Sequence, residues 1–173
     1  MDEVPNIPQS APSEAPIDDP ARRRLPPLLR QSWYGLNQAF RRRIAHLGMT
    51  PDQFTVMRSL LEGDPEGMTQ RQVTEAMSSD PNTVASLLER MEKAGFLARK
   101  PHERDRRAHR ILPLDKGTIT YQQAREIAVD LQAEVLTILP EPQREPFLAM
   151  LTQIGEACRQ AAESSPRKAK PTP

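Results

Sequence analysis

Apolar residues near the start of the chain recur every three or four positions, so they share one face of a helix. The pattern predicts an amphipathic first helix over residues 25–47. Pro26 and Pro27 fall in its first turn, where a missing N–H costs little, and Gly48 ends it. The apolar stripe consists of Leu25, Leu28, Leu29, Trp33, Leu36, Phe40, Ile44 and Leu47.

Capping sequences predict three shorter helices after the first one. Thr50–Gln53 and Thr69–Gln72 both have the pattern of a capping box, and Asp80-Pro81 has that of a cap followed by a first-turn proline. Residues 63–65 stop the second helix, and Gly95 stops the fourth. The residues expected to face inward are Phe54, Met57, Leu60 and Leu61, then Val73, Ala76 and Met77, then Val84, Leu87, Leu88 and Met91.

The third and fourth helices predict either a helix-turn-helix or an ordinary helical hairpin, and the residues that follow favour the first. Residues 96–100 and 110–114 predict two strands of a β-hairpin. From Leu97 to Arg110, both included, there are six Arg and Lys residues against two acids. A hairpin with this charge cannot be buried, and a nucleic-acid duplex is the densest common anion that it could bind. A helix-turn-helix followed by such a hairpin is the arrangement of a winged helix.

Two long helices are predicted after the hairpin. Asp115 caps one that runs to about Leu139, and a last helix runs over about 142–163 after the break at Pro140. The last helix has the 3.5-residue spacing of a helix seam. Such helices could form a dimer or could fold back on a single lobe, and periodicity alone leaves both open. The stripes are Ile119, Ala124, Ile127, Ala128, Leu131, Val135 and Ile138, then Phe147, Leu151, Ile154, Cys158 and Ala161.

Composition separates both ends of the chain from this helical part. Of the 173 residues, the first 20 contain five prolines, five acids and no base, so we expect residues 1–24 to be a disordered acidic arm. Residues 164–173 predict a short disordered basic tail. Because the acids and bases are segregated, the net charge of +1 does not argue against a nucleic-acid partner. One cysteine, no apolar run of membrane-spanning length and no signal-peptide pattern predict a cytoplasmic protein without disulfides or a membrane partner.

The order of elements resembles the MarR family of bacterial winged-helix transcription regulators over about residues 25–163. Residues 80–99 are similar to that family's recognition helix and the strand after it, Asp105-Arg106-Arg107 to its wing motif, and Asp115-Lys116-Gly117 to the start of its fifth helix. Pro113-Leu114 departs from the Leu-Thr that usually precedes this helix, so we expect Pro113 at a strand end or sheet edge. The resemblance implies a mainly α fold with a small β-hairpin wing. It divides the domain into a winged helix-turn-helix lobe over about 50–114 and dimerisation helices over about 25–47 and 115–163.

The expected DNA-binding residues lie on three elements. On the fourth helix, Asn82 is expected to read an adenine edge, Thr83 and Ser86 to reach either base edges or phosphate, and Arg90 to contact phosphate. The resemblance implies that Arg107 enters the minor groove while Asp105 holds it in an ion pair, with Arg104, Arg106 and Arg110 neutralising phosphates. Thr69, Gln70 and Arg71 at the start of the third helix are expected to meet the backbone. The plain alternative is a solvated polar surface.

Other candidate sites are weaker. Trp33, Tyr34, Asn37, Phe40 and His46 could line a cleft for a small aromatic or anionic effector, although Trp33 and Phe40 also fit a core role. His102 and His109 lack further ligands for a metal, Cys158 fits a core position better than a redox site, and no cofactor is expected. The sequence contains neither a glycine-rich phosphate loop nor a nucleophile–base pair placed by spacing, so it does not predict an enzyme.

The sequence therefore predicts a homodimeric regulator that binds double-stranded DNA at a pseudo-palindromic operator, most simply as a repressor. The rival interpretation is a winged-helix module that docks a protein and does not read DNA. The acidic arm keeps the rival open, because it could bind a partner or cover the basic wing.

Overall fold

The computed structural model describes residues 24–101 and 109–164. Six α-helices and three short strands follow one another in this part of the chain, which confirms the expected fold class. The helices are α1 (Leu25–Ile44), α2 (Pro51–Glu62), α3 (Gln70–Ala76), α4 (Pro81–Lys93), α5 (Asp115–Leu136) and α6 (Glu141–Ser164). None of these helices is long and apolar enough to cross a bilayer.

The starts of α2, α3 and α4 confirm their capping predictions, whereas Asp115, expected to cap α5, is itself the first residue of that helix. Thr50 and Thr69 each accept a hydrogen bond from the backbone N–H three residues later, and the glutamine there accepts one from the cap's own N–H. Asp80 caps α4 ahead of Pro81. The first helix is shorter than predicted, because a 3₁₀ turn over Ala45–Leu47 replaces its last turn before Gly48, which adopts a left-handed φ of 66°. Likewise α5 ends at Leu136 and not near Leu139.

The strands form an antiparallel sheet with one strand more than the predicted hairpin. They are β1 (Met68–Thr69), β2 (Leu97–Pro101) and β3 (His109–Pro113), in the spatial order β1-β3-β2. Leu97 pairs with Pro113 and Met68 with Ile111. Pro113 is therefore the last residue of the central strand, where its missing N–H breaks little of the ladder, as expected for a strand end.

The described residues divide into two compact units, with the boundary inside α5 after Ala124. The first unit contains most of the core. Phe54 of α2 packs edge-on against Phe40 of α1, with ring centroids 4.9 Å apart, and stacks on Tyr121 of α5 at 5.0 Å. No polar or charged side chain is buried among the described residues. Two residues expected to face inward, Leu61 and Ala76, are exposed, because each lies at the end of its helix where the buried face has turned away.

The second unit, taken by itself, buries little of its apolar surface. Leu131 is buried, but α6 has no buried residue at all. Residues that the sequence pattern placed on apolar stripes are open here: Val135 is 50% exposed, Ile138 86% and Phe147 40%. Cys158 is also exposed, and not in a core. The same holds for Ile119 in the first unit, at 56%. These particular side chains are therefore largely uncovered within their own units.

Candidate nucleic-acid interface

Helix α4 has one buried side and one open side. Four apolar residues, Val84, Leu87, Leu88 and Met91, hold it on the core and confirm the predicted inward face. The open side presents Asn82, Thr83, Ser86 and Arg90, all of them exposed. The first turns therefore offer an amide and two hydroxyls to any surface that approaches, and the last turn offers a guanidinium. These groups can donate and accept hydrogen bonds at base edges and phosphates.

The cap of α4 holds this surface in place. The Asp80 carboxylate accepts hydrogen bonds from the backbone N–H groups of Asn82, at 3.1 Å, and Thr83, at 2.9 Å. Hydrogen bonds from the Thr83 side chain and backbone lower the pKa of Asp80 below its ordinary value.

The start of α3 is a second candidate contact, and its side chains are partly engaged. The Thr69 hydroxyl donates to Gln72 Oε1 at 2.9 Å, while Gln70 is half-buried. Arg71 Nε lies 2.9 Å from Glu75 Oε1 in an open pair, and this partner raises the pKa of Arg71. Exposed pairs of this type are weak. A phosphate could therefore draw Arg71 away from Glu75 at little cost.

The wing supplies the third element, through β2 and β3. Its expected contacts Arg104, Asp105, Arg106 and Arg107, and also His102, lie outside the described residues. Arg110 is described, and only 20% of its side chain is exposed. Its Nη1 atom donates to the Gly67 carbonyl oxygen at 3.0 Å and lies 3.9 Å from Asp64 Oδ2. Arg110 thus fastens β3 to the loop after α2, a structural contact that the sequence did not suggest.

A cleft of about 540 Å³ lies beside α4. Its walls carry Arg41 from the last turn of α1 and Arg90 from α4, and Met49 and Leu87 contribute apolar surface. Among the described residues, neither arginine has an ion-pair partner. Sequence reasoning missed Arg41, which stands in a run of three arginines at positions 41–43 without any signal that singles it out. The Asp52 carboxylate also lines the cleft, so the two guanidinium groups share it with one acid.

The five residues expected at an effector site differ in their exposure. Trp33 and Tyr34 are exposed on α1, at 64% and 59%, and His46 is exposed on the 3₁₀ turn. Phe40 is buried against Phe54, and Asn37 is half-buried. His109 is exposed on β3, and no cluster of metal-ligating side chains exists among the described residues.

Known proteins match both the lobe and the fold. Residues 47–108 match the model of the MarR family. The chain is 27% identical over 94 residues to the HTH-type transcriptional regulator BilQ of Clostridium symbiosum and 28% identical over 103 residues to the HTH-type transcriptional regulator PecS of Dickeya dadantii. These matches cover 54% and 59% of this chain, and 65% and 62% of the relatives, which is less than two thirds of their lengths.

A solved structure of the M. tuberculosis transcriptional regulator MOSR in complex with DNA superposes with a TM-score of 0.62 and 26% identity. The alignment covers 76% of this chain and 96% of MOSR. The capped α3–α4 pair, with the β2–β3 hairpin after it, defines a winged helix-turn-helix protein. The match over residues 47–108 includes this helix pair, so this part of the chain is similar to the MarR family.

Proposed function

We propose that this protein is a DNA-binding transcription regulator whose recognition helix is α4. The observation that carries the proposal is the two-sided character of this helix: four buried apolar residues fix it, and Asn82, Thr83, Ser86 and Arg90 remain open on the other side. A helix held in this way presents its first turns to a major groove. The names of BilQ and PecS, both described as transcriptional regulators, support the same conclusion.

The wing and the start of α3 complete the proposed surface. We assign Arg107 to the minor groove, with Asp105 as its ion-pair partner, and Arg104 and Arg106 to phosphates. Thr69, Gln70 and Arg71 meet the backbone at the start of α3. Arg110 contributes charge near the backbone while its contact with Gly67 keeps β3 in place.

The active form is a homodimer in this proposal. The open apolar residues of the second unit, including Ile138 at 86% exposure and Met150 at 56%, support it, because large apolar patches on a soluble chain mark an interaction surface. Two copies related by a two-fold axis read a pseudo-palindromic operator with half-site centres about 34–36 Å apart. Bound over a promoter, such a dimer represses transcription by occupying the site.

A small aromatic or anionic effector that favours a dimer with the wrong helix separation would release the operator. Trp33, Tyr34, Asn37, Phe40 and His46 on and after α1 are the proposed contacts. The exposure of Trp33 and Tyr34 supports a role outside the core, whereas the burial of Phe40 limits that residue to the wall of such a site.

The test is fluorescence anisotropy with the DNA upstream of the gene that encodes this chain, against a shuffled duplex of equal length, over a series of salt concentrations. If that fragment gives no preference, an operator selected from a random duplex library replaces it. A sequence-reading regulator binds its operator 10³-fold or more tightly than shuffled DNA, on the order of the usual specificity ratio. Affinity for both duplexes should fall steeply with salt.

Equal, weak binding to every duplex, including those from the selection, would overturn the proposal of sequence reading. Absence of binding even at low salt, with the protein folded, would favour the rival interpretation of a protein-docking module. In the second case the open side of α4 would be the first surface to test for a partner.

A further inference from the structure

The C-terminal end of α4 is tied to the first turn of α5 by one lysine. Lys116 Nζ donates a hydrogen bond of 2.7 Å to the carbonyl oxygen of Ala94, the C-terminal cap residue of α4. The same ammonium group lies 5.2 Å from the centre of the Phe96 ring. Phe96 is 3% exposed, so the ring is a fixed part of the core.

The hydrogen bond from Lys116 satisfies one of the carbonyl groups that a helix leaves unpaired at its C-terminus. The last carbonyl groups of a helix find no partner inside the helix and carry a partial negative charge. After Ala94 the chain turns through Gly95, whose φ of 74° is left-handed, so α4 cannot continue. A cation that donates to the Ala94 carbonyl therefore satisfies an orphan acceptor and complements the helix dipole. The aromatic face of Phe96 adds a cation–π attraction.

Two backbone hydrogen bonds next to this contact also connect α4 with the start of α5. Leu114 N–H donates to the Phe96 carbonyl oxygen at 3.0 Å, and Phe96 N–H donates to the carbonyl of Met91 in α4, also at 3.0 Å. The last turn of α4, the start of β2 and the start of α5 thus share one chain of backbone hydrogen bonds. Among these contacts, that of Lys116 is made by an exposed side chain, so it can be removed without opening the core.

We propose that Lys116 is a positioning residue for DNA reading, which fixes the tilt of α4 through the Ala94 carbonyl and touches no DNA itself. This inference rests on the proposed function. Asn82 lies 12 residues before Ala94, or about 18 Å along the helix. A tilt of about 5° at the Ala94 end would move Asn82 by about 1.5 Å. Base-edge hydrogen bonds do not survive such a shift, whereas attraction to phosphates changes little with it.

The effect on DNA binding should therefore be selective. Lys116→Met keeps the length of the side chain and removes the donor and the charge. We expect it to lower affinity for the operator by about three- to ten-fold, which corresponds to the loss of one modest interaction. Affinity for shuffled DNA and the salt dependence of both should stay as in the wild type, and the melting temperature should change by no more than a few degrees. Lys116→Arg, which keeps a cationic donor, should restore most of the operator affinity.

Lys93→Met is the matched control. It removes the same charge from the last turn of α4, where Lys93 Nζ lies 2.6 Å from Glu89 Oε1 in an open i,i+4 pair. This variant should keep the wild-type preference for the operator. Equal loss of preference in both variants would assign the effect to charge alone and overturn the positioning role.

The other outcomes also separate the possibilities. A flatter salt dependence in Lys116→Met would mean that Lys116 itself binds a phosphate, which contradicts the proposal. Operator affinity unchanged from the wild type would contradict it as well. If the wild-type chain prefers no duplex, the proposed function itself is contradicted. Amide hydrogen exchange would then test the contact between Lys116 and the Ala94 carbonyl without DNA. Faster exchange at residues 94–96 in Lys116→Met supports the tie, and unchanged exchange refutes it.

Discussion

Gly117 lies so close to the backbone of Phe96 that a Cβ atom on it would stand 2.1 Å from the Phe96 carbonyl oxygen. The same Cβ would stand 2.9 Å from Cε of Met57 in α2. The absence of a side chain at Gly117 lets the first turn of α5 pack directly on the backbone of Phe96, between α4 and β2. Three elements of the lobe meet at this point, and the space between them is set by one glycine.

Gly117→Ala should therefore destabilise the protein, although alanine is the better helix former. The added methyl group must push back a carbonyl, so we expect the free energy of unfolding to fall by about 1–3 kcal/mol, as in other overpacked cores. Gly35→Ala in α1 is the control, because nothing lies within 4 Å of its ideal Cβ. That variant should raise the free energy of unfolding by up to about 1 kcal/mol through helix propensity. Denaturant unfolding measures the free energy of unfolding of both variants. An increase in both would show that the backbone around Phe96 moves aside for the added methyl group at little cost.

Local features of this fold could be predicted from the sequence, because their causes are local. Thr50, Thr69 and Asp80 each cap a helix with groups at most three residues away, so a short motif contains the whole interaction. All four residues predicted to face inward on α4 are buried. Its four apolar residues recur within two turns, which leaves one choice for the buried side.

Contacts between distant residues could not be predicted in the same way. Strand β1 is two residues long and exists because Met68 pairs with Ile111. The hydrogen bond from Arg110 to Gly67 likewise joins residues 43 positions apart. The composition of neither segment indicates which distant segment it contacts. From the sequence, Arg110 therefore could not be distinguished from the other arginines of the wing. The cleft residue Arg41 was missed for the same reason, since only folding brings α1 beside α4.

Acid should weaken the start of α4 through Asp80. Its pKa is lowered in the folded protein by the hydrogen bonds from Thr83, so the stabilisation it gives is complete above the ordinary aspartate pKa, near 3.8. That stabilisation is lost as the pH falls through the lower, folded value. Asp80→Asn keeps an acceptor for the cap but does not titrate. The difference in melting temperature between the wild type and Asp80→Asn should therefore shrink as the pH falls below about 4. A difference that stays constant with pH would exclude the carboxylate as the cap.

Asn82 and Arg90 should respond differently to truncation if α4 reads DNA as proposed. Asn82→Ala removes a group that can pair with an adenine edge, so it should cost about 1–3 kcal/mol on the operator and relax the preference at one base pair. Arg90→Ala should weaken binding to operator and shuffled DNA alike and reduce the salt slope by about 1. Competition anisotropy with operators altered at single positions separates the two effects. Equal losses on all sequences for Asn82→Ala would remove it from base reading.

The cleft beside α4 makes Arg41 a further phosphate contact to test. Arg41 and Arg90 line the same cleft as the Asp52 carboxylate, so a phosphate that enters it would meet two guanidinium groups and one acid. Arg41→Gln should lower affinity for any duplex several-fold and reduce the salt slope by about 0.9. Arg42→Gln removes the same charge one residue further along α1, at a position that does not line the cleft, and should change both quantities less. Identical behaviour of the two variants would mean that only the net charge of α1 matters.

The open apolar residues of α6 should prove to be the contact between two copies. Leu151 is 39% exposed, and Met150 beside it is 56% exposed, so the apolar face of this helix has no cover within its own unit. Leu151→Asp would place a charge in that face, and we expect it to convert the dimer to a monomer in sedimentation equilibrium, because an unpaired buried charge is too costly to retain. Gln153→Asp introduces the same charge on an exposed position two residues away and should leave the dimer intact. The monomer should also bind a single half-site as weakly as it binds the whole operator, since two-fold contact is lost. A Leu151→Asp variant that remains dimeric would show that the two copies meet elsewhere.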